Sequence, residues 1–180
     1  SWLSLNILLT IMAASVIQIY EDTLAAVIAL AVFLPIVSNM SGCSGFQAVA
    51  VSMRELTLGV IEPTEFFRVW RKEASVGLIT GIILGVMLGI VAWMWKGNPW
   101  LGMVVGAALA LNTVLAVSIG GLIPLLLKYF KIDPAVASGP VLTTITDMAG
   151  FFLVLSIAAA AIAVLAALLL AGAASAGRLP

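Results

Sequence analysis

Residues 74–95 read ASVGLITGIILGVMLGIVAWMW, a mainly apolar run that contains no charged side chain. A helix needs about 20 such residues to cross the hydrocarbon core of a bilayer. The rest of the chain is similar, since hydrophobic residues make up 63% of its 180 residues and charged residues only 9%. A soluble domain is about a quarter charged. The composition therefore predicts an all-α integral membrane protein.

Four further apolar segments accompany this one, at about residues 2–20, 24–53, 100–127 and 141–173. Membrane-spanning β-strands are alternating segments of about ten residues, which these are not, so the spans are predicted to be helices. Five transmembrane helices are therefore expected, and residues 1–180 are expected to form a single transmembrane domain.

Lysine and arginine are distributed unevenly between the connections, and this bias predicts the orientation. Six lie after the second or the fourth segment and two lie elsewhere. The six are Arg54, Arg68, Arg71, Lys72, Lys128 and Lys131, and the two are Lys96 and Arg178. Because loops rich in Lys and Arg stay on the cytoplasmic side, we expect a multi-pass protein of the cell (inner) membrane. Its N-terminus would be cytoplasmic and its C-terminus external.

The charged and metal-binding residues exclude several classes of function. Eight basic and eight acidic residues give a net charge of zero, so binding of nucleic acid has no electrostatic support. The chain has no His and a single cysteine, Cys43. An intrachain disulfide and the His/Cys clusters that hold zinc or copper are therefore excluded. Any metal ion handled here is expected to be a hard cation bound by oxygen.

Residues 62–73, EPTEFFRVWRKE, allow two interpretations. They form either a short interfacial helix, with Phe66, Phe67 and Trp70 on one face, or a bent extension of the third span.

Small residues recur at spacings of four and predict close helix packing. They are Gly77, Gly81, Gly85 and Gly89 in the third span, with a weaker set of Gly102, Gly106 and Ala110 in the fourth. Asn112 and Gln18 are expected to make hydrogen bonds between helices.

One acidic residue lies well inside a predicted span. Asp147 follows Thr143 and Thr144 in the fifth segment, and residues three or four apart lie on adjoining parts of a helix surface. With Pro140 near the start of this helix, Asp147 is expected about 10 Å inward. Ionisable groups at such depth usually face a cavity or a partner. Asp147 is interpreted either as a carboxylate facing a cation or as a protonated acid bonded to a neighbouring helix.

A second polar segment, residues 38–47 (SNMSGCSGFQ), interrupts the second span. Pro35 and two glycines predict a break in this helix, and irregular backbone at membrane depth lines water or is buried in protein. Freed carbonyl groups, together with Ser38 and Asn39, would form a neutral wall of oxygen atoms. A simple packing kink is the alternative.

A divalent cation would need more than one carboxylate. Mg²⁺ keeps several of its waters and is commonly held by one or two carboxylates. Two-fold symmetry is the commonest form of oligomer, and it would bring two Asp147 side chains to one axis. The sequence therefore motivates a homodimer.

At these two segments the sequence resembles the MgtE family of magnesium transporters. The matching runs are residues 34–48 (LPIVSNMSGCSGFQA), 51–56, and 133–147 (DPAVASGPVLTTITD). Five spans is also the number expected for the membrane domain of that family, so the resemblance covers essentially the whole chain.

The resemblance implies a homodimeric Mg²⁺ channel in the lipid bilayer, with a pore lined by spans two and five. Asp147 would hold a hydrated ion near the two-fold axis, with oxygen atoms of both spans in its outer shell. The predicted metal site comprises Asp147, Thr143, Thr144, Ser38, Asn39 and Gly139. The cytoplasmic N and CBS domains of full-length members are not expected here. Catalytic residues and an organic cofactor are not expected either.

Three positions depart from the family pattern. Cys43 stands where asparagine is common, Gly139 where some members have asparagine, and Phe46 is bulky beside the implied pore. These changes leave a transporter of Co²⁺ or Mn²⁺ as one alternative. A non-transporting assembly subunit is another. An intramembrane hydrolase is disfavoured, because one deep acid and no His do not supply a catalytic pair.

Overall fold

The computed structural model of the chain describes residues 2–176, without the side chains of residues 2, 3, 5, 136 and 169–176. All regular secondary structure in that range is helical, which confirms the predicted fold class. Arg178, used in the count of basic residues, lies outside the described residues. The elements are α1 (Trp2–Ile19), α2 (Glu21–Ala26), a 3₁₀ helix (Ile28–Val32), α3 (Phe33–Thr57), α4 (Phe66–Lys96), α5 (Pro99–Tyr129) and α6 (Pro134–Ala176).

Four helical stretches among the described residues are long and apolar enough to cross a membrane. They are Ile28–Thr57, Phe66–Lys96, Pro99–Tyr129 and Ala137–Leu168. The apolar part of α1 is shorter, at Asn6–Ile19. The prediction of a helical membrane protein is therefore confirmed, with four helices of spanning length and α1 as a shorter apolar helix beside them.

Helix α5 lies at the centre of the bundle, where it contacts α3, α4 and α6. Its buried side chains form a continuous apolar core with those of α3 and α6. Phe33 and Val37 of α3, Val105 and Leu109 of α5, and Leu155 of α6 are all at most 1% exposed. The core therefore holds together the helices that carry the two polar segments, while α4 and α1 pack on the outside.

The small residues of α4 and α5 face each other along a close seam, as their spacing predicts. A Cβ atom at Gly81 would lie 2.6 Å from the Ala110 carbonyl oxygen, and one at Gly85 would lie 2.6 Å from that of Gly106. Carbon and oxygen atoms cannot approach so closely, so the two backbones are in contact because these positions lack side-chain atoms. The prediction of close packing is confirmed.

The turn between α4 and α5 is specified locally. Gly97 adopts a left-handed conformation (φ 65°), and its N–H donates to the Trp93 carbonyl at 2.8 Å, which ends α4. The side chain of Asn98 accepts from the N–H of Trp100 at 3.0 Å, and Pro99 is the first residue of α5. Glycine just past a helix and proline at the start of the next are favoured for these backbone conformations. A hairpin of two long helices results.

The predicted break in span two is wrong, since α3 runs without interruption through residues 38–47. Pro35 lies in the first turn of α3, where a missing N–H costs little. The Ser41 hydroxyl donates to the Val37 carbonyl at 2.9 Å and that of Ser44 to the Met40 carbonyl at 3.1 Å. Serine side chains therefore bond back to an intact helix. The irregular backbone lies earlier, at Ile28–Val32.

The prediction of a separate interfacial helix is also wrong. Helix α4 begins at Phe66 and continues to Lys96, so the extension of span three is the correct interpretation. Residues 66–96 contain no proline, and the first glycine of this stretch, Gly77, is a full three turns after Phe66. Pro63 lies in the preceding turn. There the Glu65 carboxylate accepts from the Glu62 N–H at 3.0 Å and pairs with Arg68, and both contacts lower the pKa of Glu65.

Helix α6 begins earlier than predicted, at Pro134 rather than near Pro140. The Asp133 carboxylate accepts from the Ala135 N–H at 2.9 Å, and Pro134 suits a first helical position. Pro140 therefore lies inside the helix. At 1.5 Å per residue, Asp147 is about 20 Å along the axis from Pro134, about twice the predicted depth from the helix start.

Candidate functional site

Ser38 of α3 and Asp147 of α6 meet in the folded chain. The Ser38 hydroxyl donates a hydrogen bond to Oδ1 of Asp147. Ser38 is 6% exposed, whereas Asp147 is half-buried and retains an open side. The bond joins two polar segments that lie 109 residues apart in sequence, and it makes their junction the candidate site.

The contacts also give the relative direction of α3 and α6. Ser38 is beside Asp147, whereas Phe46, two turns later, is beside Gly139, two turns earlier. A Cβ at Gly139 would lie 3.8 Å from Cε1 of Phe46. The two helices are therefore antiparallel, as expected when α4 and α5 each cross the membrane between them.

Gly139, Thr143 and Asp147 follow one another at spacings of four and share a face of α6. Thr143 is half-buried, and its hydroxyl donates to the Gly139 carbonyl at 3.1 Å. The Thr144 hydroxyl donates to the Pro140 carbonyl at 2.8 Å. Because each hydroxyl proton is directed at the backbone, the remaining lone pairs can accept hydrogen bonds or face a cation.

Asn39 does not share the position of Ser38. Its side chain is exposed on α3, on the same face as Cys43 and Phe46, which are also exposed. Spacings of four and three place these three residues in one stripe. The structure therefore brings Ser38 to Asp147 and leaves Asn39 on an open surface next to them.

Asn112 of α5 connects the two helices behind this pair. It is completely buried (0% exposed), and its Nδ2 donates to Oγ of Ser41 at 2.6 Å and to the main-chain oxygen of Thr146 at 3.1 Å. The predicted interhelical hydrogen bond of Asn112 is confirmed. Gln18, by contrast, is exposed on α1.

A further acid inside the bundle, Glu73, was not identified from the sequence. It is 4% exposed, contacts Gly121 of α5, and lies 3.6 Å from Nζ of Lys72, which also pairs with Glu55. The sequence nevertheless contains a pattern from which Glu73 could have been predicted to face α5. Glu73 lies four residues before Gly77 and so extends the glycine stripe that faces α5.

A closed cage of side-chain ligands is not present in the described part of the chain. Groups of three or more His, Cys, Asp or Glu residues close enough to hold a metal ion do not occur there. Within the same residues Asp147 makes no ion pair with Lys or Arg. One chain thus offers a single carboxylate with hydroxyl and carbonyl oxygens beside it, an arrangement that can hold a cation through its water shell.

Comparison with known proteins identifies the family. Residues 34–157 match the model of the MgtE family, described as divalent cation transporters. The chain is similar to three curated proteins named magnesium transporter MgtE: those of Bacillus subtilis (36% identical over 159 residues), Enterococcus faecalis (35% over 157) and Thermus thermophilus (34% over 157). Each match covers 87% or 88% of this chain but only 35% of the relative. The chain therefore belongs to the MgtE family, whose members are divalent cation transporters and not enzymes.

Proposed function

We propose that this chain is the membrane domain of a channel for passive influx of Mg²⁺, in which Asp147 holds the hydrated ion. The observation that carries the proposal is the meeting of Asp147 and Ser38. It joins an acid that makes no ion pair among the described residues to a hydroxyl from the other polar segment. In an apolar bundle such an acid usually faces a cavity or a partner.

The oxygen atoms beside Asp147 suit Mg²⁺ in its water shell. Mg²⁺ is dehydrated reluctantly, so it usually keeps several of its waters and is bound through one or two carboxylates. Thr143, Thr144, Ser38, Asn39 and the Gly139 carbonyl would accept hydrogen bonds from those waters. The three relatives named magnesium transporters support the choice of ion.

A homodimer would complete the site. One carboxylate balances half the charge of a divalent cation, and two Asp147 side chains across a two-fold axis balance all of it. The exposed stripe of Asn39, Cys43 and Phe46 would then face the partner across the pore. In the proposed topology α1 also crosses the membrane, as the first of five spans, the N-terminus is cytoplasmic and the C-terminus is external.

No coupling ion is required for this transport. Moving one charge through 100 mV is worth about 2.3 kcal/mol, so a divalent ion gains roughly 4.6 kcal/mol at that potential. This energy drives inward movement of Mg²⁺ without a proton relay.

Replacing Asp147 tests the proposal. We expect Asp147→Asn and Asp147→Ala to lower Mg²⁺ flux into liposomes about tenfold or more, because a loss of 1.4 kcal/mol in binding is tenfold in affinity. Glu62→Gln, which neutralises an exposed acid in the turn before α4, should keep wild-type flux. Co²⁺ and Mn²⁺ are added as competitors to measure selectivity.

Wild-type Mg²⁺ flux in both Asp147 variants would refute the assignment of this residue. Absence of any flux through the wild-type protein would favour a non-transporting assembly subunit. Stronger flux of Co²⁺ or Mn²⁺ than of Mg²⁺ would assign the pore to another divalent cation.

A further inference from the structure

We infer that Asn112 of α5 is a positioning residue for the proposed cation site. It holds Ser38 and Asp147 in register without contacting the ion. The inference rests on the function proposed above, since it assigns Asn112 a role relative to Asp147. Asn112 lies on the central helix, behind the junction of α3 and α6, and is completely buried.

The neighbours of Asn112 determine which way its amide points. The Ser41 hydroxyl directs its proton to a carbonyl of its own helix, that of Val37 at 2.9 Å or that of Ser38 at 3.0 Å. The oxygen of Ser41 is therefore an acceptor, and the main-chain oxygen of Thr146 can only accept. Both partners require a donor, so Nδ2 of Asn112 must face them.

The two hydrogen bonds that Asn112 donates end on groups next to Ser38 and Asp147. The Thr146 carbonyl belongs to the peptide bond that joins Thr146 to Asp147, and it accepts from Asn112 at 3.1 Å. Ser41, the other acceptor, lies one turn after Ser38 on α3 and is within hydrogen-bond distance of its carbonyl. One amide group thus connects the backbone next to Asp147 with the turn of helix that carries Ser38.

The other end of the amide is unsatisfied. Oδ1 of Asn112 is buried without a hydrogen-bond partner in the part of the chain that the structure describes. A buried oxygen without a partner costs stability, and an apolar residue of similar size would avoid that cost. The two hydrogen bonds that Nδ2 donates therefore explain why an amide and not an apolar side chain occupies this position. These bonds set the register of α3 against α6.

The surrounding space is too small for a shift in register to be absorbed. A Cβ atom at Gly150 of α6 would lie 2.7 Å from Nδ2 of Asn112 and 3.5 Å from Cα of Ser38. Three helices are therefore in contact at this level, three residues beyond Asp147. Closely packed interiors transmit displacements, so a change at Asn112 reaches the carboxylate.

The test compares Asn112→Leu with the matched control Thr113→Val. Thr113 is the next residue on α5, is equally buried, and its hydroxyl has no hydrogen-bond partner among the described residues. Mg²⁺ uptake by the reconstituted protein is measured over a range of concentrations. We expect Asn112→Leu to raise the half-saturating concentration about tenfold while the maximal rate changes less than twofold, since about 1.4 kcal/mol of binding is tenfold. Thr113→Val should leave both values unchanged.

A second measurement reports the register without reference to transport. A Cβ at Gly42 would lie 3.6 Å from Oγ1 of Thr146, so Gly42→Cys with Thr146→Cys, in a Cys43→Ser background, should form a disulfide between α3 and α6. Adding Asn112→Leu should lower the yield of this disulfide several-fold, whereas adding Thr113→Val should not.

The outcomes separate this inference from the proposed function. An unchanged half-saturating concentration in Asn112→Leu, or an unchanged disulfide yield, would overturn the positioning role. If Asn112→Leu fails to insert, Ser41→Ala replaces it, and the same half-saturating concentration as wild type then overturns the inference. Failure of the proposed function is recognised separately, by wild-type flux in Asp147→Asn.

Discussion

At the scale of single residues, the hydroxyl groups beside Asp147 have a defined orientation. Thr143 lies one turn before Asp147 and directs its proton to the Gly139 carbonyl at 3.1 Å. Its oxygen lone pairs are therefore available on the half-buried face that Asp147 shares. A hydroxyl oriented in this way accepts hydrogen bonds from the waters of a bound cation more readily than it donates.

Removal of this hydroxyl should weaken binding of the hydrated ion. Thr143→Val keeps the shape of the side chain but deletes one acceptor worth about 1 kcal/mol, so we expect the half-saturating Mg²⁺ concentration to rise about fivefold. Thr143→Ser, which keeps the hydroxyl, should behave as wild type. Equal values for the Val and Ser variants in liposome uptake would contradict a role of Thr143 in the water shell.

At the scale of elements, the pair of α4 and α5 is held by contact between backbones. Gly85 faces the carbonyl of Gly106 on α5, and Glu73 extends the same stripe toward the N-terminal end of α4. The opposite face of α4 carries exposed apolar side chains such as Val86, which is 57% exposed. In lipid, apolar side chains provide little drive for association, so close packing of small residues has to hold the two helices together.

One added methyl group should therefore lower stability on the α5-facing side of α4 and have little effect on its exposed face. In Gly85→Ala the Cβ would lie 2.6 Å from the Gly106 oxygen and 2.9 Å from Cβ of Ala110. Overpacking of this kind costs about 1–3 kcal/mol, so the melting temperature in detergent should fall. Val86→Ile adds one carbon to the exposed face and should change stability by less than about 0.5 kcal/mol. A melting temperature of Gly85→Ala equal to that of Val86→Ile would exclude a tight seam.

At the scale of the whole molecule, α3 is covered by its neighbours on one side only. Ser41 and Ser52 are completely buried, and Ser38 nearly so, whereas Asn39 and Cys43 are exposed. In the proposed dimer the exposed stripe faces the partner chain near the two-fold axis.

The single cysteine provides a direct test of this assembly. If α3 lies near the axis, oxidation of the protein in membranes should link two chains through Cys43 and give a covalent dimer on a non-reducing gel. Cys43→Ser should remove the dimer band, and reduction should do the same. A wild-type protein that remains monomeric under these conditions would contradict the placement of α3 at the axis.

Local composition and spacing predicted much of this fold and part of the site. Long uncharged runs indicate membrane helices wherever they occur, because each must satisfy its own backbone hydrogen bonds in lipid. Glycines at every fourth position form one face whatever the rest of the fold is, so the α4–α5 seam could be predicted. Asp147 could be identified as unusual from its depth alone.

The errors concerned the ends and continuity of helices, which depend on hydrogen bonds that composition does not reveal. Pro35 and the two glycines, Gly42 and Gly45, predict a break, yet Pro35 lies in a first turn and Ser41 bonds back to an intact helix. Pro140 predicts a helix start, although Asp133 caps the helix earlier.

The sequence by itself determined that this chain is a bundle of membrane helices with one deep acid and two polar segments. Only the tertiary structure decided that Ser38 meets Asp147, that Asn112 joins the two segments from behind, and that Glu73 is buried against Gly121. The physical reason is that hydrophobicity and helical spacing are properties of each segment alone. Contacts between residues 109 positions apart depend on the rotation and register of one helix against another, which are set by packing around α5.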